Sequence, residues 1–167
     1  ESGLSEEFFE KADERASSGL SYAFTMGYSY MGMFTPYNDI LSNDGLFKFQ
    51  SDAIRKLAAE QSCILVGRCA DYVLREKKNI FSVFITAPLS ARVYRVAHRE
   101  DLSAAQAREK AKKIDKVRKE YYNYYTNKRW GHTDSYQLCV DSSVLGDEAT
   151  ACFIRDFVLA ALEKEHK

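Results

Sequence analysis

The chain has 167 residues, 46% of them hydrophobic and 29% charged, which is the composition of one globular domain with a sizeable core. Lys plus Arg and Asp plus Glu both number 24, and this balance argues against general binding to nucleic acids or acidic membranes. The 4 cysteines lack Cys-x-x-Cys spacing, and the printed sequence shows neither a signal-peptide pattern nor an apolar run of about 18 residues. We therefore expect a cytoplasmic protein.

The charges are distributed unevenly along the chain. Residues 1–18 carry six acidic and two basic side chains, whereas residues 92–130 carry twelve basic and five acidic ones. A basic segment inside a neutral protein suits a small anionic ligand better than a polymer, although a solvated helix face gives the same composition.

The N-terminal part of the chain contains two contrasting segments. Ser5 precedes two glutamates and predicts a helix that runs to about Arg15, because acidic side chains are favourable at a helix N-terminus. Residues 16–45 mix tyrosine, phenylalanine and methionine with serine, glycine and asparagine, which predicts a long aromatic loop with a functional role.

Helices and strands alternate after this loop. Apolar runs predict a buried strand at residues 63–66 and further strands at 80–86 and 136–140. Helices are predicted from Asn43-Asp44 to about Glu60, from Pro88 to about Arg99, from the Ser103/Gln106 capping box to about Tyr125, and from Gly146 onwards. The alternation predicts an α/β fold with a parallel sheet flanked by helices. Three strands make a thin sheet, so we expect a further strand upstream of Glu1.

Charged groups follow the first predicted strand. Gly67 ends the apolar run, and Arg68 and Asp71 come next. Open α/β sheets bind ligands at the carboxyl ends of their strands, so Arg68 is placed to bind a phosphate or carboxylate in a bidentate way. A structural ion pair between Arg68 and Asp71 explains the pattern equally well.

Two further sets of charges have helical spacing. Lys112, Asp115 and Arg118 share roughly one helix face, which can bind a phosphate together with a base or ribose. A solvated ladder of salt bridges is the commoner origin of such a pattern. Arg92, Arg95 and Arg99 form a second row, which we expect to point in one direction. An exposed basic face would show the same spacing.

An aromatic segment follows at residues 120–131. It contains four tyrosines together with Lys128, Arg129 and Trp130. Aromatic rings beside cations can stack on nucleobases, and tyrosines at helical spacing can equally pack in a core. Lys128 and Arg129 lie where the helix gives way to a loop, and we expect this loop to be mobile and to close over an anion.

The chain shows no metal-binding pattern and no P-loop. The three histidines lack the spacing of metal ligands. Gly27 and Gly32 have the glycine spacing of a P-loop, but Met33 and Phe34 stand where that motif requires lysine and serine or threonine.

Several segments together resemble the cytidylate kinase-like family, a bacterial branch of the P-loop nucleoside monophosphate kinases. They are Val-Gly-Arg-Cys-Ala-Asp-Tyr at 66–72, Ile-Asp-Lys-Val-Arg-Lys-Glu-Tyr-Tyr-Asn-Tyr-Tyr-Thr at 114–126, Trp-Gly at 130–131 and Leu-Cys-Val-Asp-Ser-Ser at 138–143. The resemblance implies one domain over 1–167, with a three-layer P-loop NTPase-like parallel sheet, a helical lid at 92–130 and an acceptor-side aromatic loop at 16–45. The family's first strand and P-loop would lie before Glu1.

The resemblance also implies an activity, which is phosphoryl transfer from ATP, with Mg²⁺, to a CMP- or dCMP-like nucleoside monophosphate. The expected acceptor contacts are Arg68, Asp71, Lys112, Asp115 and Arg118, and the expected contacts to the transferring phosphate are Arg95 and Arg99. Lys128 and Arg129 are the predicted contacts to ATP. Cys69 stands where cytidylate kinases proper carry an aspartate that contacts the nucleotide, and Asp71 is the neighbouring carboxylate that can compensate.

Two other functions fit the same residues. One is a nucleotide-sensing module that keeps the acceptor pocket and has lost turnover. The other is an RNA-binding domain that uses the tyrosines before Trp130 as a stacking platform, although the neutral net charge speaks against it. We expect a small nucleotide as the partner, and neither a nucleic acid nor a membrane.

Overall fold

The computed structural model of the chain describes residues 43–165. The chain divides into two compact units, Glu1–Val73 and Leu74–Lys167. The helices of the described part are α1 (Asn43–Glu60), α2 (Ala70–Val73), α3 (Leu89–Glu100), α4 (Ala104–Thr126), α5 (Ser142–Leu145) and α6 (Asp147–Glu165), and the strands are β1 (Val83–Thr86) and β2 (Leu138–Asp141). A 3-10 turn at Thr133–Ser135 precedes β2. The predicted helix after Ser5 and residues 16–42 of the aromatic loop lie outside the described residues.

The described part of the first unit consists of α1, α2 and the segment between them. Helix α1 begins at Asn43, as the asparagine–aspartate pair predicts, and packs against α2. Its buried face includes Ile54 and Ser51, and the Ser51 hydroxyl donates a hydrogen bond to the Phe47 carbonyl at 2.7 Å. That bond satisfies a hydroxyl that would otherwise be buried without a partner.

The predicted strand at residues 63–66 is wrong. The segment is not a strand, and Ile64 and Val66 are 95% and 90% exposed. Cys63, the first residue of this apolar run, is exposed as well. A β-strand exists only when a neighbouring strand pairs with its backbone groups, and in the described residues the sheet consists of β1 and β2 alone. An apolar run therefore does not make a strand here.

The second unit contains a two-stranded parallel sheet. Phe84 lies opposite Cys139, and Thr86 at the end of β1 lies opposite Asp141 at the end of β2. Leu138 and Val140 are half-buried, whereas Cys139 is exposed, since successive side chains of a strand point to opposite faces. Cys139 is therefore not the core thiol that its apolar surroundings predict.

Helices α3 and α4 form an antiparallel hairpin after β1. The two helices pack closely because their contact surface carries small side chains: Ala107 is fully buried, and Ala111 and Val93 are nearly so. Asp101 ends α3 in the left-handed conformation, and Ser103 and Gln106 form the predicted capping box at the start of α4. The hairpin thus has a tip at residues 101–103 and a base beside β1.

Helix α6 closes the second unit. It begins at Asp147, directly after Gly146, as predicted. The ring of Phe157 meets the ring of Phe81 edge-on, with the centroids 6.5 Å apart. None of the helices within residues 43–165 is both long and apolar enough to cross a membrane.

Candidate functional site

Residues 67–69 form a left-handed turn in the first unit. Gly67, Arg68 and Cys69 have φ angles of 72°, 53° and 55°. Glycine adopts this conformation freely, but each of the other two residues gives up roughly 1–2 kcal/mol to do so. The Cys69 carbonyl accepts hydrogen bonds from the amides of Tyr72 and Val73, both at 2.9 Å, so the turn leads directly into α2. Strain of this kind is concentrated at functional sites in proteins.

Cys69 is the buried residue of this turn. Burial, and then the negative charge of Asp71, raise the pKa of its thiol from 9.0 to about 12, and the positive charge of Arg68 opposes them. The thiol therefore stays protonated at neutral pH and behaves as a small apolar side chain. Asp71 and Arg68 flank this thiol and bring opposite charges to the turn.

The base of the hairpin is held by Arg92. Its Nη1 donates to both carboxylate oxygens of Asp115 at 2.8 Å, and its Nε donates to the Ala87 carbonyl at 3.1 Å. One guanidinium thus links the end of β1, α3 and α4. The sequence predicted Asp115 as an acceptor contact, and in the structure the side chain that binds Asp115 is Arg92.

Arg118 occupies an unusual place on α4. The buried residues of this helix are Ala107, Ala111, Tyr122 and Thr126, which lie on one face by their spacing. Arg118 is four residues before Tyr122 and so falls on the same face, yet its side chain is exposed. Within residues 43–165 its guanidinium has no ion pair and no hydrogen bond. A cation that is open to solvent on an otherwise packed face is available to an anionic ligand.

Lys112 lies apart from Arg118. The two residues are six positions apart, which turns their side chains about 120° from each other around the helix axis. Lys112 forms an ion pair of 3.5 Å with Glu109, and both side chains are largely exposed. The predicted shared face of Lys112, Asp115 and Arg118 is therefore split, and only Asp115 and Arg118 lie on the packed face.

The row of arginines on α3 does not point in one direction. Arg92 reaches α4, whereas Arg95 donates to Asp147 Oδ1 and to Ser142 Oγ, both at 3.2 Å. Arg99 forms an ion pair with the adjacent Glu100. The spacing predicted that the three guanidinium groups point in one direction, but each of them binds a different carboxylate.

Arg95 faces the carboxyl ends of the two strands. The Ser142 hydroxyl that it contacts donates to the Thr86 carbonyl at 3.2 Å, which joins the end of β1 to the start of α5. Asp141 caps α5, and hydrogen bonds from the Ser143 hydroxyl and amide lower the pKa of its carboxyl group, with a smaller effect from the charge of Arg95. This polar edge is the kind of place where α/β sheets bind ligands.

The segment after α4, where we expect a mobile loop, makes several hydrogen bonds and one ring contact. The Trp130 amide donates to Asn123 Oδ1 at 2.8 Å, and the Trp130 ring meets Phe84 of β1 edge-on, with the centroids 5.2 Å apart. The Arg129 carbonyl accepts hydrogen bonds from His132 and Ser135. The Arg129 side chain is exposed and the Lys128 side chain is half-buried.

The tyrosines of α4 do not form one open platform. Tyr122 is buried and stacks on Tyr136, with an interplanar angle of 23°. Tyr125 is half-buried between Tyr121 and Tyr124, and Tyr124 is exposed. Packing therefore accounts for part of this aromatic segment.

Arg92 and Ser142 are the residues of this region that sequence reasoning missed. The sequence showed Arg92 only as one member of a basic row, and Ser142 only as part of a motif. No other signal in the chain connects Arg92 with a carboxylate 23 positions away. Their contacts link helices and strands that are distant in the sequence, which periodicity cannot detect.

The expected cofactors are ATP and Mg²⁺. No three histidine, cysteine, aspartate or glutamate side chains in the described range are grouped as they would be around a metal ion. The exposed guanidinium of Arg129 suits a phosphate group of ATP.

Comparison with known proteins identifies the family. A crystal structure described as that of an uncharacterized protein from Eubacterium ventriosum ATCC 27560 is 33% identical, with a TM-score of 0.63 over 70% of this chain and 73% of that one. A search of curated proteins finds no match. Residues 1–144 match the model of the cytidylate kinase-like family. The chain therefore belongs to the cytidylate kinase-like family.

Proposed function

We propose that the protein transfers the γ-phosphoryl group of ATP to a nucleoside monophosphate, with CMP or dCMP as the first candidates. Membership of the cytidylate kinase-like family supports a kinase-like role with nucleotides. The observation that carries the proposal is Arg118, an exposed cation without a partner in residues 43–165 on the packed face of α4. We propose with it the three-layer P-loop-like sheet of the family, of which β1 and β2 would be two strands.

The reaction is a direct transfer between phosphates. An oxygen of the acceptor monophosphate attacks the γ-phosphorus, the bond from that phosphorus to the bridging oxygen breaks, and ADP leaves with the electron pair. The products are ADP and a nucleoside diphosphate. Mg²⁺ supplies charge neutralisation to such reactions when bound, and the protein contributes mainly positioning and electrostatic stabilisation.

The basic residues divide this work. Arg118 binds the acceptor phosphate, and Arg68 is proposed as a further phosphate contact on the strength of its Gly-Arg turn. Lys112, paired with Glu109, adds only long-range positive charge. Asp71 beside Cys69 is the proposed carboxylate for the acceptor base.

The remaining cations are proposed for the donor side. Arg95 and Arg99 would meet the transferring phosphate, and for this each must exchange part of its present contact with Asp147 or Glu100. Lys128 and Arg129 would contact ATP from the turn after α4. The hairpin over residues 92–130 would act as a lid that excludes water.

The test is an ADP-release assay on the full-length protein with a panel of nucleoside monophosphates. Arg118→Ala should raise the acceptor KM about 10- to 100-fold, since a charge-assisted contact contributes about 1.5–3 kcal/mol. Lys113→Ala is the matched control, because Lys113 is an exposed cation on the opposite side of the same helix. It should leave the acceptor KM unchanged.

Three results would count against this assignment. Absence of turnover with every nucleoside monophosphate would refute the kinase activity. Tight binding of a monophosphate without turnover would indicate a sensing module instead. An equal effect of Arg118→Ala and Lys113→Ala would remove Arg118 from the site.

A further inference from the structure

A single side chain joins three elements at the base of the hairpin. Arg92 donates from Nε to the Ala87 carbonyl and from Nη1 to both oxygens of Asp115. Ala87 is buried and follows β1 directly, so its carbonyl lies at the carboxyl end of that strand. The side chains of Arg92 and Asp115 are about one-third exposed, at 33% and 29%, and their contact is thus partly shielded from solvent.

Asp115 is the residue through which this contact reaches Arg118. The two lie three positions apart on α4, about 60° from each other around the axis. Because a helix is rigid over one turn, the anchoring of Asp115 fixes both the rotation of α4 and the height of Arg118 relative to β1. Arg118 itself has no side-chain partner in the described part of the chain that would hold it in place.

We infer that Arg92 is a positioning residue for acceptor binding, and this inference rests on the proposed function. Arg92 does not touch the acceptor. It holds Asp115 close to the end of β1. The helical turn of α4 that carries Arg118 therefore keeps one orientation relative to β1. Asp115 is the residue of α4 that Arg92 binds, and both of its carboxylate oxygens accept hydrogen bonds from Arg92.

The same hairpin offers a matched control for a purely structural effect. Glu100 and Lys110 form an ion pair near the tip, again between α3 and α4. This second pair lies about two turns from Arg92 along α3, and within residues 43–165 no hydrogen bond or ion pair of these two side chains joins them to β1 or β2. A substitution there removes another contact between the same two helices without moving Arg118.

The experiment measures acceptor KM, ATP KM, kcat and melting temperature for the full-length protein and five variants of it. Arg92→Gln should raise the acceptor KM about tenfold, because small displacements of a binding group have large effects on positioning. The ATP KM should stay within about twofold. Arg92→Lys retains an ion pair with Asp115 but cannot donate to Asp115 and Ala87 through a planar fork, so a rise of about threefold is expected.

Asp115→Asn completes the set. It should raise the acceptor KM, and the double variant Arg92→Gln/Asp115→Asn should be no worse than the more damaging single variant, since both remove the same contact. Lys110→Gln should leave the acceptor KM unchanged. If Arg92→Gln does not fold, Arg92→Lys and Asp115→Asn decide the question by the same comparison.

The outcomes separate the two proposals. If the wild-type protein turns over no nucleoside monophosphate, the proposed function is refuted and the role of Arg92 with it. If the wild-type protein is active and the Arg92 variants keep its acceptor KM, only the role of Arg92 is refuted. Equal changes in acceptor KM and ATP KM, or an equal effect of Lys110→Gln, would show that Arg92 supports the fold alone.

Discussion

The base and the tip of the α3–α4 hairpin are closed by ion pairs of the same kind in different settings. At the base, Arg92 binds Asp115 and also the carbonyl at the end of β1. At the tip, Lys110 binds Glu100, which also contacts Arg99 of the same hairpin. The base is therefore anchored to the sheet. In the described part of the chain, the ion pairs at the tip join only residues of the hairpin. The two ion pairs have similar chemistry, and they differ in the elements that they hold together.

The difference assigns separate tasks to the two ends. A lid needs one end that stays in register with the sheet and another that can move. The base has the properties of the first, because the Phe84, Trp130 and Tyr136 rings add to the Arg92 contact. The tip has only a cap and ion pairs with partly exposed partners. Substitutions at the base should accordingly cost more stability than substitutions at the tip.

The largest effect on stability is expected from Gly131→Ala at the base. Gly131 has a φ of 72°, and a Cβ there would lie 3.1 Å from Cζ of Phe84. The left-handed conformation and the contact together should cost about 2–4 kcal/mol in urea unfolding followed by circular dichroism. Gly146→Ala is the control, because its φ is 78° with nothing within 4 Å of the added carbon. Equal losses in both variants would show that Phe84 does not constrain the base.

A smaller effect is expected from Ser103→Ala at the tip. The Ser103 hydroxyl accepts a hydrogen bond from the Gln106 amide, and the Gln106 side chain accepts one from the Ser103 amide. Loss of this cap should cost about 1 kcal/mol, or about 2–4 °C in melting temperature. Ser90→Ala, at an exposed position near the start of α3, should cost nothing. A loss as large as that of Gly131→Ala would contradict the contrast between base and tip.

The smallest effect is expected from Lys110→Gln and should depend on pH. The hydrogen bond from Lys110, more than the contact with Arg99, lowers the pKa of Glu100 below 4.5. The stabilisation is thus fully present above pH 4.5 and is lost as the pH falls through the lowered pKa. Melting curves of the two proteins should differ slightly at pH 7 and converge in acid. A difference that grows on acidification would mean that Glu100 is stabilised in its protonated form.

Local signals in the sequence predicted the hairpin well. The capping box at Ser103 and the proline at position 88 placed the starts of α4 and α3 correctly, because helix capping depends only on neighbouring residues. Both strands were found, the end of β1 was predicted correctly, and the starts of β1 and β2 were predicted a few residues too early. The residues within and next to these helices and strands were sufficient to predict them.

Contacts between distant residues were not predictable in this way. The prediction of a strand at residues 63–66 was wrong, because strand formation depends on a pairing partner and an apolar run does not specify one. The Arg92–Asp115 contact joins residues 23 positions apart, and helical periodicity gave no hint of it. The candidate site was thus predicted by residue type through the family resemblance, while the partner of each charge required the structure.

Trp130 is the single tryptophan of the chain, and it lies at the base of the hairpin against Phe84. Its intrinsic fluorescence is therefore a label-free reporter of one defined place in the second unit. Loosening of the base would shift or quench the emission, whereas movements confined to the tip would leave it unchanged. A nucleotide titration followed by the fluorescence of Trp130 would distinguish opening at the base from movement of the tip alone.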